Sequence, residues 1–407
     1  MVRLRGATVV GPDGPVERAA LVIDDGLISE IASDAKASGH DLDCGGGWIV
    51  PGFIDTHIHG VQGLDVLDGG EAVARVAALL PRFGVTAFQP TSVACGPADL
   101  SAFLAAVAAA MAAPADAAAR VLGAHLESNF INPAYKGAQP DRCLRLPPAP
   151  AEPLVSDGAF TGAAILAAID THRAAVRTVT LAPELPGALD LVARLAGRGH
   201  RVSLGHSAAT FEQAQAAIAA GACRATHLFN RMPPLSHRAP GLAGAVLAAE
   251  GVTCEVVGDG HHVHPAMLGL AIRMKGHGGI AAITDASAVA GLPAGSTARL
   301  GDQTIRAGAS CAELADGTIA GSLTTMDAVF RLLVRVVGLT VADAVHLTAT
   351  TPAACAGRSD LGRLAVGHPA DLVVLDRDLR VLQTWVAGRL AWNSAAGGAV
   401  SPAEVQR

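Results

Sequence analysis

The sequence predicts an α/β protein, a TIM (β/α)8 barrel with a small β-sandwich domain formed by its N- and C-terminal segments. Three observations carry this. Apolar runs of strand length recur, each followed by polar residues and then by an Ala-rich stretch of helical period, which is a repeated βα rhythm. Eight such runs can be counted: Trp48 to Ile54, Val85 to Gln89, Val121 to Leu126, Val176 to Leu181, Val202 to Leu204, Arg224 to Thr226, Val252 to Val257 and Ile280 to Ile283. Eight parallel strands close a barrel. The flanks read differently, because Met1 to Gly47 and Leu361 to Arg389 are rich in short alternating strands and tight turns such as Gly11-Pro12-Asp13-Gly14. The two chain ends are therefore expected to meet in one domain, residues 1–50 with 355–407, around a barrel of residues 51–354.

Bulk properties fit that architecture. The 407 residues are 51% hydrophobic and 16% charged, with a mean hydropathy of +0.39, which allows a large core and places the chain far from the disordered class. A net charge of -6 without long runs of one sign offers no electrostatic footprint for nucleic acid or an anionic membrane, so a small-molecule partner is expected. Seven scattered cysteines, never in a C-x-x-C spacing, argue against a disulfide framework or a zinc ribbon. Together with an N-terminus that lacks the apolar core of a signal peptide, they point to the reducing cytoplasm. Ala-rich stretches such as Ser101 to Ala119 meet a charge or a proline before they could span a membrane, and read as helices of a water-soluble fold.

The chemistry emerges when polar residues are placed on the strand ends, because a barrel of this kind gathers its active site at the C-terminal ends of its strands. The first strand runs into Asp55-Thr56-His57-Ile58-His59-Gly60, where i, i+2 spacing turns both imidazoles to one side of an extended chain. His125-Leu126-Glu127 ends the third strand, Gly205-His206-Ser207 the fifth, Thr226-His227-Leu228 the sixth and Thr284-Asp285-Ala286 the eighth. An H-x-H taken alone is as often a pair of half-exposed histidines as a ligand pair, and a lone aspartate is usually a helix cap. Ligand-type residues at five of the eight strand ends favour a metal centre. Imidazoles with carboxylates suit zinc or a similar first-row divalent ion with one or two ions per subunit, able to lower the pKa of a water to about 7.

With these motifs in order, and with Lys136-Gly137-Ala138, Leu181-Ala182-Pro183-Glu184, Pro240 to Gly244 and Asp259-Gly260-His261-His262-Val263-His264-Pro265, the chain resembles the N-acetylglucosamine-6-phosphate deacetylases of the amidohydrolase superfamily over nearly its full length. The resemblance implies hydrolysis of the N-acetyl group of an amino-sugar phosphate. It implies that Glu127, His206 and His227 hold the main metal, that His57 and His59 could create a second site, and that Asp285 moves the proton from water to the departing amine. It further implies that Arg238, reaching from a neighbouring subunit of a homodimer, and His262 bind the phosphate, with Asn230 on the sugar. Some barrel hydrolases bridge two metals with a carboxylated lysine after the fourth strand. Here only Lys36, Lys136 and Lys275 exist and that strand ends in Leu181 to Glu184, which weighs against a dihydroorotase, hydantoinase or urease.

The sequence departs from the family pattern where Gly-Pro is usual, at Ser128-Asn129, and where histidine is usual, at Gln139. A glutamine can donate a neutral hydrogen bond to the acetyl carbonyl but cannot carry positive charge. N-acetylgalactosamine 6-phosphate, an unphosphorylated N-acetyl sugar and another N-acyl group therefore stay open as substrates. Two further classes remain, a hydrolase of cyclic amides or N-acyl amino acids and a non-catalytic sugar-phosphate-binding barrel.

Overall fold

The computed structural model describes residues 1–33, 41–148 and 160–396. Lys36 and the expected extension of the terminal domain from 397 to 407 lie outside the described residues.

The barrel strands are β1 (Phe53–Ile58), β2 (Val85–Ser92), β3 (Ala124–Glu127), β4 (Val176–Leu181), β5 (Arg201–Leu204), β6 (Ala222–Ala225), β7 (Thr253–Val257) and β8 (Ile280–Ile283), each parallel to the next. The ring closes where Ile58 bridges Ala286 just beyond β8. At this seam the Asp285 amide donates to the His57 carbonyl over 3.0 Å, and the Thr284 hydroxyl donates to the buried Asp55 carboxylate over 2.5 Å. Every residue of β1, β2 and β8 is buried, as expected of strands covered on both faces. Ala-rich helices form the outer ring. Helix Ala188–Gly197 turns Ala188, Leu191, Val192 and Leu195 inward at helical spacing, and Phe211–Ala219 starts on a reciprocal cap between Thr210 and Gln213.

The first expected strand is in fact two. Trp48–Pro51 pairs with Val2–Gly11 and antiparallel with Leu372–Leu375, and the chain then crosses at Gly52 into β1. Only glycine fits at that crossing, since a Cβ there would lie 2.1 Å from Thr86 Oγ1. The third expected strand starts late, at Ala124, because Gly123 adopts a φ of 91° that interrupts it and leaves Arg120–Val121 as a short separate pairing on β2.

Both chain ends share one sheet in the order 389–393, 381–386, 372–375, 48–51, 2–11, 14–24, 27–33, with 41–43 beside 2–11. Leu4, Val9, Leu21, Ile49, Leu372 and Trp385, drawn from both halves of this sheet, form one core in the manner of a small sandwich. Arg120 clamps Asp371 with two hydrogen bonds of 2.8 and 3.2 Å, and Thr384 donates to the Pro81 carbonyl over 2.7 Å, fastening the sheet to the barrel. A feature absent from the sequence reading follows β8: a four-stranded antiparallel sheet, Thr297–Leu300, Gln303–Ala307, Cys311–Glu313 and Ile319–Ser322, with its own small core. Ser322 ties it to the end of β8, its amide to the Asp285 carbonyl (2.7 Å) and its hydroxyl to the Thr284 carbonyl (2.6 Å).

Candidate active site

The strand ends bring all six expected metal ligands together. On one side His206 and His227 place their Nε2 atoms 2.7 and 2.8 Å from Glu127 Oε1 and 2.9 Å from each other. On the other, His57 and His59 Nε2 stand 3.3 Å apart and 3.5 and 3.3 Å from Asp285 Oδ1. Glu127 lies between the two sets, 3.8 Å from His57 and 3.7 Å from His59. His206, His227 and Asp285, each just past a strand, all have positive φ (47°, 30° and 49°). Such a conformation costs a non-glycine residue about 1 kcal/mol or more and recurs where a site over-determines the backbone.

The outward ring nitrogens of three of the four histidines explain why their inward ones converge, while His227 Nδ1 is buried without a hydrogen-bond partner. His206 Nδ1 donates to the Tyr135 carbonyl (2.8 Å), His59 Nδ1 to the Thr91 carbonyl (3.0 Å) and His57 Nδ1 to the Glu255 carboxylate (3.1 Å). A proton committed to Nδ1 leaves a lone pair on Nε2. Lone pairs facing one another at about 3 Å repel unless a cation lies between them, so the donor set fits a divalent ion and tells against a structural cluster.

The local field agrees. Burial opposes charge on His57 more than any other single influence, yet the Glu255 hydrogen bond and the charges of Asp285, Glu255 and Glu127 outweigh it and lift the ring to about 9, so that without an ion a proton takes the Nε2 lone pair that a cation would otherwise fill. Burial likewise pushes the carboxyls of Glu127 and Asp285 upward, but the surrounding imidazoles hold both below their ordinary values. A buried site so balanced calls for positive charge.

A pocket of about 440 Å³ opens over this cluster, lined by Asp285, Glu127, Gln139, Asn230, Arg231 and His262 among others. His262 Nδ1 donates to Asp259 Oδ2 over 2.6 Å. Burial works against its charge, but this bond, one to Cys311 and the nearby carboxylates raise it to about 10, so it enters the pocket as an imidazolium. Asn230 donates its amide to the His227 carbonyl over 3.2 Å. Arg238 is exposed on the loop after β6 and does not line this pocket.

Gln139 is engaged at both ends. Its amide nitrogen donates to Glu127 Oε2 and its oxygen accepts from the Ala94 amide over 2.7 Å, so it braces the Glu127 carboxylate at the pocket wall. Ser128 and Asn129 serve the loop: the Ser128 hydroxyl donates to the Thr180 carbonyl, and the Asn129 amide to the carbonyls of Cys95 (2.8 Å) and Cys143 (2.7 Å). Glu184, after β4, accepts from Asn132, Ser207 and Ala208 and ties the loops after β3 and β5 together. His125, beside Glu127 in sequence, points below the site to the Thr56 carbonyl and Thr180, and burial lowers it to about 3, so it is neutral.

Sequence reasoning missed Arg231, on the same loop as Asn230, and the charged pair Arg224 and Glu255. The pair had a signal in the sequence: a charge inside strand-forming runs, Ala222-Cys223-Arg224-Ala225 and Thr253-Cys254-Glu255-Val256-Val257, is costly unless paired and used.

Comparison with known proteins joins this geometry to a lineage. Residues 48–391 match the amidohydrolase family. The chain belongs to that family. It is 34% identical over 401 residues to an N-acetylglucosamine-6-phosphate deacetylase of Lysinibacillus sphaericus, covering 95% of this chain and 97% of that one. It is 35% identical over 392 residues to an N-acetylgalactosamine-6-phosphate deacetylase of Escherichia coli O157:H7, covering 95% and 98%. Among solved structures, the N-acetyl-D-glucosamine-6-phosphate deacetylase of Mycobacterium smegmatis, a mutant in complex with N-acetyl-D-glucosamine-6-phosphate, superposes with a TM-score of 0.86 at 34% identity over 96% of this chain and 99% of that one. Within the amidohydrolase family the protein is a deacetylase-type hydrolase of an amide C–N bond, and the expected barrel and terminal sheet are those of its structural relatives.

Proposed function

We propose that the protein removes the acetyl group of an N-acetyl amino-sugar 6-phosphate, most simply N-acetylglucosamine 6-phosphate, to release the amino-sugar phosphate and acetate. The observation that carries this is one pocket joining the His–carboxylate cluster to the His262 imidazolium. A divalent ion held by Glu127, His206 and His227, zinc by the chemistry of this donor set, would polarise the acetamide carbonyl and acidify the attacking water. Asp285, held anionic at the pocket floor, takes the proton from that water and returns it to the amine nitrogen as the C–N bond breaks. Gln139 steadies Glu127, and its second amide hydrogen would serve the acetyl oxygen. His262 neutralises phosphate charge, Asn230 contacts the sugar, and Arg238, exposed and outside the lining of its own pocket, serves the site of a second copy in a homodimer.

The division into residues 1–50 with 355–407 and 51–354 forms part of the same reading, as does a cytoplasmic home. The latter is supported by seven free cysteines. Among the described residues no helix is long and apolar enough to cross a membrane.

The test is acetate release by zinc-reconstituted enzyme from N-acetylglucosamine 6-phosphate, its galacto epimer and unphosphorylated N-acetylglucosamine. Turnover of a phosphorylated sugar, with an Arg238→Ala variant raising KM for that sugar, is the expected result. Equal turnover of the unphosphorylated sugar would remove the phosphate clamp, and silence on all three with metal bound would move the substrate to another N-acyl class.

A further inference from the structure

Inside the barrel, below the candidate metal cluster, lies a fully buried ion pair that the chemistry above does not use. Arg224 is 1% exposed and Glu255 0%. One guanidinium nitrogen of Arg224 donates to Glu255 Oε1 over 2.5 Å and to Thr56 Oγ1 over 2.9 Å, and another donates to Gln89 (3.1 Å) and Thr178 (3.2 Å). The second carboxylate oxygen of Glu255 accepts from His57 Nδ1 over 3.1 Å. A buried ion pair is poor value as a stabiliser, because the desolvation of both charges offsets most of their attraction. Its geometry instead suits orientation. Four donor contacts fix the guanidinium, the guanidinium fixes one oxygen of the carboxylate, and the other oxygen holds the imidazole of His57 at one angle with its proton on Nδ1.

We infer that Glu255, aligned by Arg224, is a positioning residue for a second metal position formed by His57, His59 and Asp285. This rests on the metal reading of the proposed function. The three ligand atoms converge as a group. His59 is oriented by a backbone carbonyl, as His206 is, whereas the Nδ1 of His57 is held by this carboxylate side chain. The carboxylate also makes the imidazole a stronger donor than a carbonyl would.

In a Glu255→Gln variant the amide oxygen turns to Arg224, the stronger donor, and the amide NH2 faces His57 Nδ1. The ring must then accept at Nδ1 and carry its proton on Nε2, where no ion can bind. The experiment is zinc titration of the apo-enzyme with metal content read after dialysis. Wild type is expected to bind two equivalents. Glu255→Gln is expected to weaken the second by about 10–100-fold and leave the first unchanged, with His57→Asn removing the same equivalent and the double variant losing no more.

Two undiminished equivalents in Glu255→Gln would overturn the inference. So would a wild type that binds one ion and still hydrolyses its substrate, a result that leaves the proposed function standing. Should Glu255→Gln fail to fold, 15N-histidine spectra of the zinc-loaded wild type decide, with His57→Asn assigning the signal. A proton on His57 Nδ1 supports the inference and one on Nε2 overturns it.

Discussion

The two halves of the candidate metal cluster are built differently. Glu127, His206 and His227 draw to within 2.7 to 2.9 Å of one another, with His206 oriented by a backbone carbonyl and Glu127 braced by Gln139. His57, His59 and Asp285 stand 3.3 to 3.5 Å apart, and His57 leans on a buried side-chain ion pair. A loop carbonyl moves with its loop, whereas a carboxylate inside the barrel is set by the strands. The tight half therefore depends on the loops after β3 and β5, and the looser half on the barrel interior and the β1–β8 seam. The first reads as the position that any activity requires, the second as the position where proton transfer is arranged.

Substitutions can separate or merge these halves. The largest effect is expected from Glu127→Gln, because this carboxylate lies between both: kcat/KM should fall by roughly 10³-fold or more, with the tight ion lost in metal analysis. Loss of activity with full metal retention would show that Glu127 does not unite the two sets. Asp285→Asn should lower kcat by roughly 10²- to 10⁴-fold with little change in KM, while the ion at Glu127, His206 and His227 stays bound. If that ion leaves as well, the halves are one unit and the comparison fails.

A third change leaves both halves intact and probes the pocket beside them. Asp259→Asn removes the partner that keeps His262 charged, and KM for the phosphorylated sugar should rise roughly 10- to 100-fold at pH 8. Since His262 is raised in the folded protein, the pair's contribution to stability is complete below the unfolded histidine value of about 6.5 and is lost as pH rises through about 10. Denaturant midpoints of wild type and Asp259→Asn should accordingly converge towards pH 10, and a gap that widens there would contradict the assignment. The smallest effect belongs to Thr210→Ala, which removes a helix cap after β5 at a cost of about 1 kcal/mol, read as a shifted denaturant midpoint with kcat unchanged.

What could be read from the sequence follows the same division. Period-two spacing made the His57 and His59 pair visible, and a ligand at the end of an apolar run marked Glu127, His206, His227 and Asp285. β4 and β8 have the bounds the pattern predicts, because β8 is a continuous run of buried apolar residues and β4 departs from full burial only at Arg177. Trp48–Ile54 misled, since an apolar run cannot reveal that Pro51 and Gly52 carry the chain from one sheet to another. The sheet of residues 297–322 escaped because its short strands, such as Cys311–Glu313, fall below the length at which alternation becomes legible. Arg224 and Glu255 escaped because attention to strand ends passes over charges at strand centres. Their partners come from β1, β2 and β4, which only the closed barrel brings together.

The most direct test of the central claim is a zinc titration of apo-enzyme that follows acetate release from N-acetylglucosamine 6-phosphate, run beside Asp285→Asn. The account predicts no turnover without metal, turnover that rises with bound zinc, and a variant that binds zinc in the tight half yet stays nearly silent. Full turnover by metal-free enzyme, or by Asp285→Asn, would contradict it.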